Sequence, residues 1–140
     1  MRLFTPSGKL VYKNLERFRI RWDDPTKSKS QIQFAVKQFL KPFWFAHVVF
    51  EEMPVFGTRL HCDIVNMTRR IAVEVDGNQH ENFNTFFHGG SRLKYLGSIK
   101  RDVAKEEWLE KNQIRLVRIY QDEAKTLTEA FFKEKFGIAL

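Results

Sequence analysis

Glu74 and Asp76 stand at alternating positions in an otherwise apolar run, Ile71-Ala72-Val73-Glu74-Val75-Asp76, which breaks at Gly77 into Asn78-Gln79-His80. Asp63 lies eleven residues before Glu74 in a second apolar run. Carboxylates buried in such strands destabilise them unless a counter-charge or a bound cation compensates. Carboxylate oxygens, water and phosphate are the ligands that Mg²⁺ prefers. A phosphodiester hydrolase uses such an ion to polarise the phosphate and to lower the pKa of the attacking water. His80, just past the glycine turn, has a side chain that ordinarily titrates near neutrality, which suits a general base or a phosphate contact. Gln79 beside it suits orienting water or accepting a contact from a base. The types and spacing point to metal-dependent hydrolysis.

The elements around these residues explain how they meet. Turn signals at Gly57-Thr58 and at 66–69 divide the middle of the chain into strands over 47–56, 60–66 and 70–76. A hairpin turning about Thr68-Arg69 sets Asp63 opposite Glu74, and one turning about Gly57-Thr58 sets Glu52 opposite Asp63. In that register Glu52, Asp63, Glu74 and Asp76 share one face. Like charges crowded on a sheet repel, and a divalent cation offsets the repulsion. Ser28 and Ser30, each followed three residues on by glutamine, read as starts of a helix that runs to about residue 40 and stops at Lys41-Pro42. A second helix covers 91–111, with Leu96, Ile99, Val103 and Trp108 along one side. Arg101, Asp102 and Lys105 lie on it: an acid near the site and two phosphate anchors, or a solvated helical face. A fourth core strand spans 114–120, and Thr126-x-x-Glu129 opens a final helix. The helix between the third and fourth core strands makes a crossover, so those strands run parallel. The expectation is one domain over 1–140, an α/β mixed sheet flanked by helices. It divides into a basic N-terminal strand or arm over 1–27, a core over 28–120 and a C-terminal helix over 121–140.

Charge is placed unevenly. The chain carries a net +7, and residues 1–50 hold ten Lys/Arg against three Asp/Glu. Such a front favours a polyanionic partner. Residues 15–22 alternate, with Phe18, Ile20 and Trp22 on one side and Arg17, Arg19 and Arg21 on the other, which reads as a strand showing arginines outward to phosphates or blunting an edge. A hydrophobic share of 43% with fourteen phenylalanines supplies a core. No apolar run approaches the roughly 20 residues of a membrane span, and the start lacks a leader-like stretch, so a cytoplasmic protein is expected. The single Cys62 reads as a buried reduced thiol. His47, His61 and His88 with one cysteine make no zinc set, although His88 suits a phosphate contact.

Asp63, ten intervening residues and then Glu74-Val75-Asp76 resemble the PD-(D/E)XK nuclease motif, and the αβββαβ order over 28–120 resembles the restriction-endonuclease-like core of that superfamily. The third motif position, a lysine that positions the nucleophilic water in the family, is Asp76 here. The stretch from Glu74 to His80, with Arg101-Asp102 downstream, is similar to the branch that includes very-short-patch repair endonucleases and phage EDxHD homing endonucleases. That branch is built on a glutamate, an aspartate, a histidine and a later aspartate. Asp63, His80 and Asp102 match the last three, and Glu52 or Glu51 stands for the first. The resemblance implies a metal-dependent DNA endonuclease of the free-standing homing type. Asp63, Glu74 and the Val75 carbonyl would hold Mg²⁺ or Mn²⁺, and His80 would act as general base or transition-state stabiliser. Asp102 and Glu52 would support the site, with Arg17, Arg19, Arg21, Gln79, Arg101 and Lys105 on double-stranded DNA. Two symmetric cuts would call for a homodimer, and a phage-encoded enzyme would work in the host cytoplasm. The structural zinc of the repair enzymes finds no cysteine set. A branched-DNA resolvase and a non-catalytic nucleic-acid-binding module on a nuclease fold are the alternatives, the second favoured by Asp76 in the lysine position. A phage structural or assembly protein is a more distant one.

Overall fold

Between the turn signals lie runs rich in branched residues, which pack well on a pleated surface. They form β3 (Val49–Pro54), β4 (His61–Asn66), β5 (Ile71–Asp76) and β6 (Arg115–Tyr120) in the computed structural model. It describes residues 1–77 and 92–140, with the backbone alone at 92–95 and 98. The strands form one mixed sheet in the order β3-β4-β5-β6, antiparallel for the first two pairs and parallel for the last. The parallel pair is bridged by helix α2 (Arg92–Lys111), as a crossover requires. Pairings Phe50↔Val65 and Ile64↔Val73 are those expected from turns at Gly57-Thr58 and Thr68-Arg69. Gly57 has φ +96°, a conformation that glycine adopts without steric cost.

Helices cover both faces of the sheet. Helix α1 (Gln31–Trp44) buries Val36, Leu40 and Trp44 against Ile64, Val73, Val117 and Ile119. Helix α4 (Glu129–Phe136) adds Phe132 to the same core. On the other face Trp108 and Leu109 of α2 pack with Met53, Cys62, Val65 and Ala72. Cys62 is free and buried, and burial pushes its thiol pKa up. The expected apolar side of α2 is only half realised: Trp108 is buried, while Leu96, Ile99 and Val103 are exposed. Among the described residues no helix is long and apolar enough to cross a membrane.

Three boundaries depart from expectation. The Ser30 hydroxyl caps α1 by accepting from the Gln33 N–H at 3.1 Å, but the helix continues through Pro42 to Trp44. Pro42 falls in the last turn, where few main-chain bonds depend on it, and the buried Trp44 holds that turn against the core. At the C-terminus a short helix, α3 (Gln121–Ala124), follows β6 directly. The cap of α4 is Thr128, two residues beyond Thr126, and its hydroxyl accepts from the Phe131 N–H at 3.0 Å.

The largest departure is at the front. Residues 15–22 are not a strand: they contain a 3₁₀ turn at Glu16–Phe18 and a single bridge from Arg19 to Phe50. Leu15 and Phe18 pack into the core beneath α2, whereas Ile20 and Trp22 pack against the core beneath α1. The segment passes around the edge strand from one face of the sheet to the other, which a one-sided strand cannot do. The N-terminal strands are β1 (Arg2–Phe4) and β2 (Leu10–Tyr12), a small hairpin of its own. It is fastened to the end of α2 by Asn112 Oδ1, which accepts from the Phe4 N–H at 2.8 Å, and by Trp108 Nε1, which donates to the Phe4 carbonyl at 2.6 Å.

Candidate active site

The β4–β5 ladder ends at Ile64↔Val73. One residue further on, Asp63 and Glu74 meet as the register requires, but carboxylates replace main-chain acceptors. The Asp63 N–H donates to Glu74 Oε2 at 3.0 Å, and the Val75 N–H donates to Asp63 Oδ2 at 2.8 Å. Each acid is held by an amide, one from its own partner residue and one from the neighbouring strand, which fixes both in the gap where the strands part. Their side chains are only 6% and 5% exposed.

Cations reach this pair from the loop before α1 and from α2. Lys29, just before the cap of α1, sets its ammonium 3.2 Å from Asp63 Oδ1 and 3.5 Å from Glu52 Oε2. Lys105 of α2 lies 2.8 Å from Glu74 Oε1. Burial and the adjoining charge of Asp63 raise the Glu74 pKa to about 7, and Lys105 offsets only part of that rise. Burial works to lower the Lys29 pKa, but the negative charges of Asp63 and Glu52 outweigh it and the net shift is upward. Two adjacent buried carboxylates suit a Mg²⁺ ion, which takes one or two carboxylates from the protein and the rest of its shell from water and phosphate.

The pair sits in a cleft of about 350 Å³ whose walls include Lys29, Gln33, Val75, Asp76, Asp102 and Lys105. Arg118 of β6 enters the same cleft, 4.0 Å from Asp76 and 3.8 Å from Asp102. Asp63, Glu74, Val75, Asp102 and Lys105 are therefore brought together as expected. The four-acid face is not. Glu52 has φ +49°, and the β3–β4 ladder has no pairing at Glu52 between Glu51↔Ile64 and Met53↔Cys62. Strand alternation breaks there, so Glu51 and Glu52 both reach α1. Glu52 accepts from Gln33 Nε2 at 3.0 Å and joins the site only through Lys29. Glu51 is sealed against Lys37 at 2.9 Å, which removes it as a site acid. Among the described residues no three of His, Cys, Asp and Glu surround a common point at metal-binding range.

The expected basic residues scatter. Lys105 lines the cleft, whereas Arg101 is exposed on α2 and is not among the described residues of its wall. Arg17 and Arg19, no longer on one strand face, enter different hollows. Arg21 is exposed and gives its N–H to Glu51 Oε2 at 2.6 Å. Gln79, His80 and His88 lie outside the described residues. Lys29, Gln33 and Arg118 are site residues that the sequence reading passed over. Arg118 had a signal: it is the charge inside Leu116-Val117-Arg118-Ile119, and parallel pairing sets it beside Glu74. Lys29 had none, because a residue outside a helix cap has no preferred direction.

The chain is similar to Uncharacterized protein 033L of Invertebrate iridescent virus 3, with 30% identity over 97 residues that cover 67% of this chain and 50% of the relative. The chain thus spans about half the length of the relative it matches. No family model and no solved structure matches it.

Proposed function

We propose that the chain is a metal-dependent DNA endonuclease with a PD-(D/E)XK-like core, in which Asp63, Glu74 and the Val75 carbonyl hold Mg²⁺ or Mn²⁺. One observation carries the reading: two carboxylates, buried side by side where the β4–β5 ladder opens, at the floor of a cleft edged by ammonium groups. A protein gains no stability from such crowding of like charge, so the arrangement is best accounted for by what it binds. The ion would supply Lewis-acid polarisation of the phosphate and a more acidic water.

The residues around it have separate tasks. Asp63 and Glu74 are each fixed by a backbone amide, and a bound ion would take the place of the lysine ammonium at Asp63 Oδ1 and Glu74 Oε1. Lys105 and Lys29 place positive charge beside those oxygens, where a phosphate would develop negative charge. Lys105 brings an ammonium to Glu74 from a different element, in a chain whose third motif position is Asp76. Arg118 engages Asp76 and Asp102 and orients them on the far wall. His80 is the proposed general base. The homing type, the double-stranded DNA partner and the work in a host cytoplasm belong to the same reading, and the viral source of the similar protein is in keeping with a virus-type enzyme.

A second reading rests on the same lysines. Lys29 and Lys105 already give both carboxylates a counter-charge, as a binding module without catalysis would have. Supercoiled plasmid incubated with Mg²⁺ and with Mn²⁺ separates the two. The wild type should nick or linearise it, and Asp63→Ala and His80→Ala should not. Equal activity in all three proteins, or none in any, overturns the nuclease assignment.

A further inference from the structure

We propose that the backbone of one DNA strand leaves the carboxylate pair along a cationic furrow formed by Lys29, Lys27, Arg17 and Lys13, around the edge strand β3 towards the N-terminal hairpin. The inference rests on the reading of the cleft as a DNA site and specifies the surface that holds the substrate.

Three hollows follow one another, the first two related by the Lys29–Glu52 contact and the last two by shared walls. The cleft is walled on one side by Lys29, whose ammonium contacts Glu52 at 3.5 Å. Glu52 is in turn a wall of a second hollow of about 460 Å³, with Arg17, Phe18 and Lys27. Arg17 and Phe18 are also walls of a third, of about 510 Å³, which Lys13 and Phe56 complete. The loop before α1 links the first two by giving one lysine to each, and Lys27 Nζ pins it by donating to the Arg17 carbonyl at 3.2 Å.

The charges on this surface favour an anion. Of the acids along it, Glu51 is closed off by Lys37, and Glu52 is engaged by Gln33 and Lys29. Glu16 shares the third hollow with Lys13 and Arg17. The chemistry offered is charge and not a bare aromatic face. Lys13 lies over the Phe56 ring at 5.2 Å and Arg17 over the Phe18 ring at 4.9 Å, so each ring has a cation on it where a base would stack. Contacts of this kind hold phosphates and position a duplex without reading its sequence. Arg19, which the alternation of 15–22 would group with Arg17, lines a neighbouring hollow with Met1, Tyr12 and Val48 that shares Lys13, Asn14 and Glu16 with the third.

The test is anisotropy with a labelled 20-base-pair duplex across a salt series, in EDTA and again in Ca²⁺. It compares wild type with Arg17→Ala/Lys27→Ala and with Lys125→Ala/Lys133→Ala, two exposed lysines near the C-terminus. Each phosphate contact contributes about 0.9 to the slope of log K against log salt. The Arg17/Lys27 variant should lower that slope by up to about 2 and weaken binding at least about tenfold, while the Lys125/Lys133 variant tracks wild type. Equal slopes in all three folded proteins, equal losses in both variants, or no binding by wild type in either buffer overturns the furrow. Plasmid cleavage is scored in parallel. Cleavage with an unchanged slope removes the furrow alone, and a lowered slope without cleavage by wild type removes the nuclease reading alone.

Discussion

Two lysine–carboxylate constellations lie on the same sheet, and they differ in closure. Lys37 and Glu51 are each 1% exposed, and their polar atoms are all spoken for. Glu51 accepts from Lys37 at 2.9 Å and from the Arg21 N–H at 2.6 Å, while Lys37 also donates to the Asp24 carbonyl at 2.7 Å. One cation meets one anion, and the pair straps residues 21–24 to α1. The Asp63–Glu74 constellation has two anions in contact, cations that approach from outside, and an opening to solvent. Burial alone therefore does not mark a site. What separates the two is that the Asp63–Glu74 pair sets two carboxylates side by side and opens to a cleft.

That contrast can be broken by removing a partner from each. Lys37→Met leaves Glu51 charged and unpaired in the interior, which should cost about 3–5 kcal/mol in urea unfolding. Lys37→Met/Glu51→Gln should recover a good part of it. A loss below about 1 kcal/mol for the single variant would mean the closed pair is not closed.

The open pair should respond to pH. The folded Glu74 pKa of about 7 exceeds its ordinary value of 4.5, so the native state holds the proton more tightly than the unfolded chain. The associated stability is complete below about pH 4.5 and is lost as pH rises through about 7. Thermal unfolding without metal should show up to about 3 kcal/mol less stability from this group at pH 8 than at pH 5, and Glu74→Gln should flatten the difference. At pH 8, Mg²⁺ at a hundred times its Kd should return about 2.7 kcal/mol to the wild type and almost nothing to Asp63→Asn/Glu74→Gln.

Activity sharpens the comparison further. Glu74→Gln should lower plasmid nicking by about a hundredfold or more, the scale of losing preorganised electrostatic stabilisation, with no loss of stability at pH 8. Lys37→Met, assayed where it remains folded, should nick normally. The smallest effect on stability belongs to Lys29→Ala. Its side chain is 54% exposed, so unfolding should move by no more than about 1 kcal/mol, while nicking falls measurably.

Much of the arrangement was legible in the chain. Glycine and polar clusters marked the turns, period-two runs marked the strands, and together they set Asp63 against Glu74. The parallel β5–β6 pair followed from the helix between them. What failed did so where alternation is a poor guide. Residues 15–22 alternate in composition, yet the chain there turns from one core to the other, so Arg17 and Arg19 part. Glu52 carries an ordinary strand sequence, but its positive φ sends two consecutive glutamates towards one helix. Lys29 and Arg118 reach the site from elements distant in sequence.

By itself, then, the sequence determined the mixed α/β sheet, its registers and the meeting of two acids, because turn chemistry and side-chain period are local properties that propagate along a hairpin. Only the tertiary structure decided which charges share space: that Glu51 is neutralised, and that Lys29 and Lys105 flank the open pair. Those depend on how α1, α2 and the front segment pack on the sheet, and electrostatic energy depends on distance in space and on burial, neither of which is written in residue order.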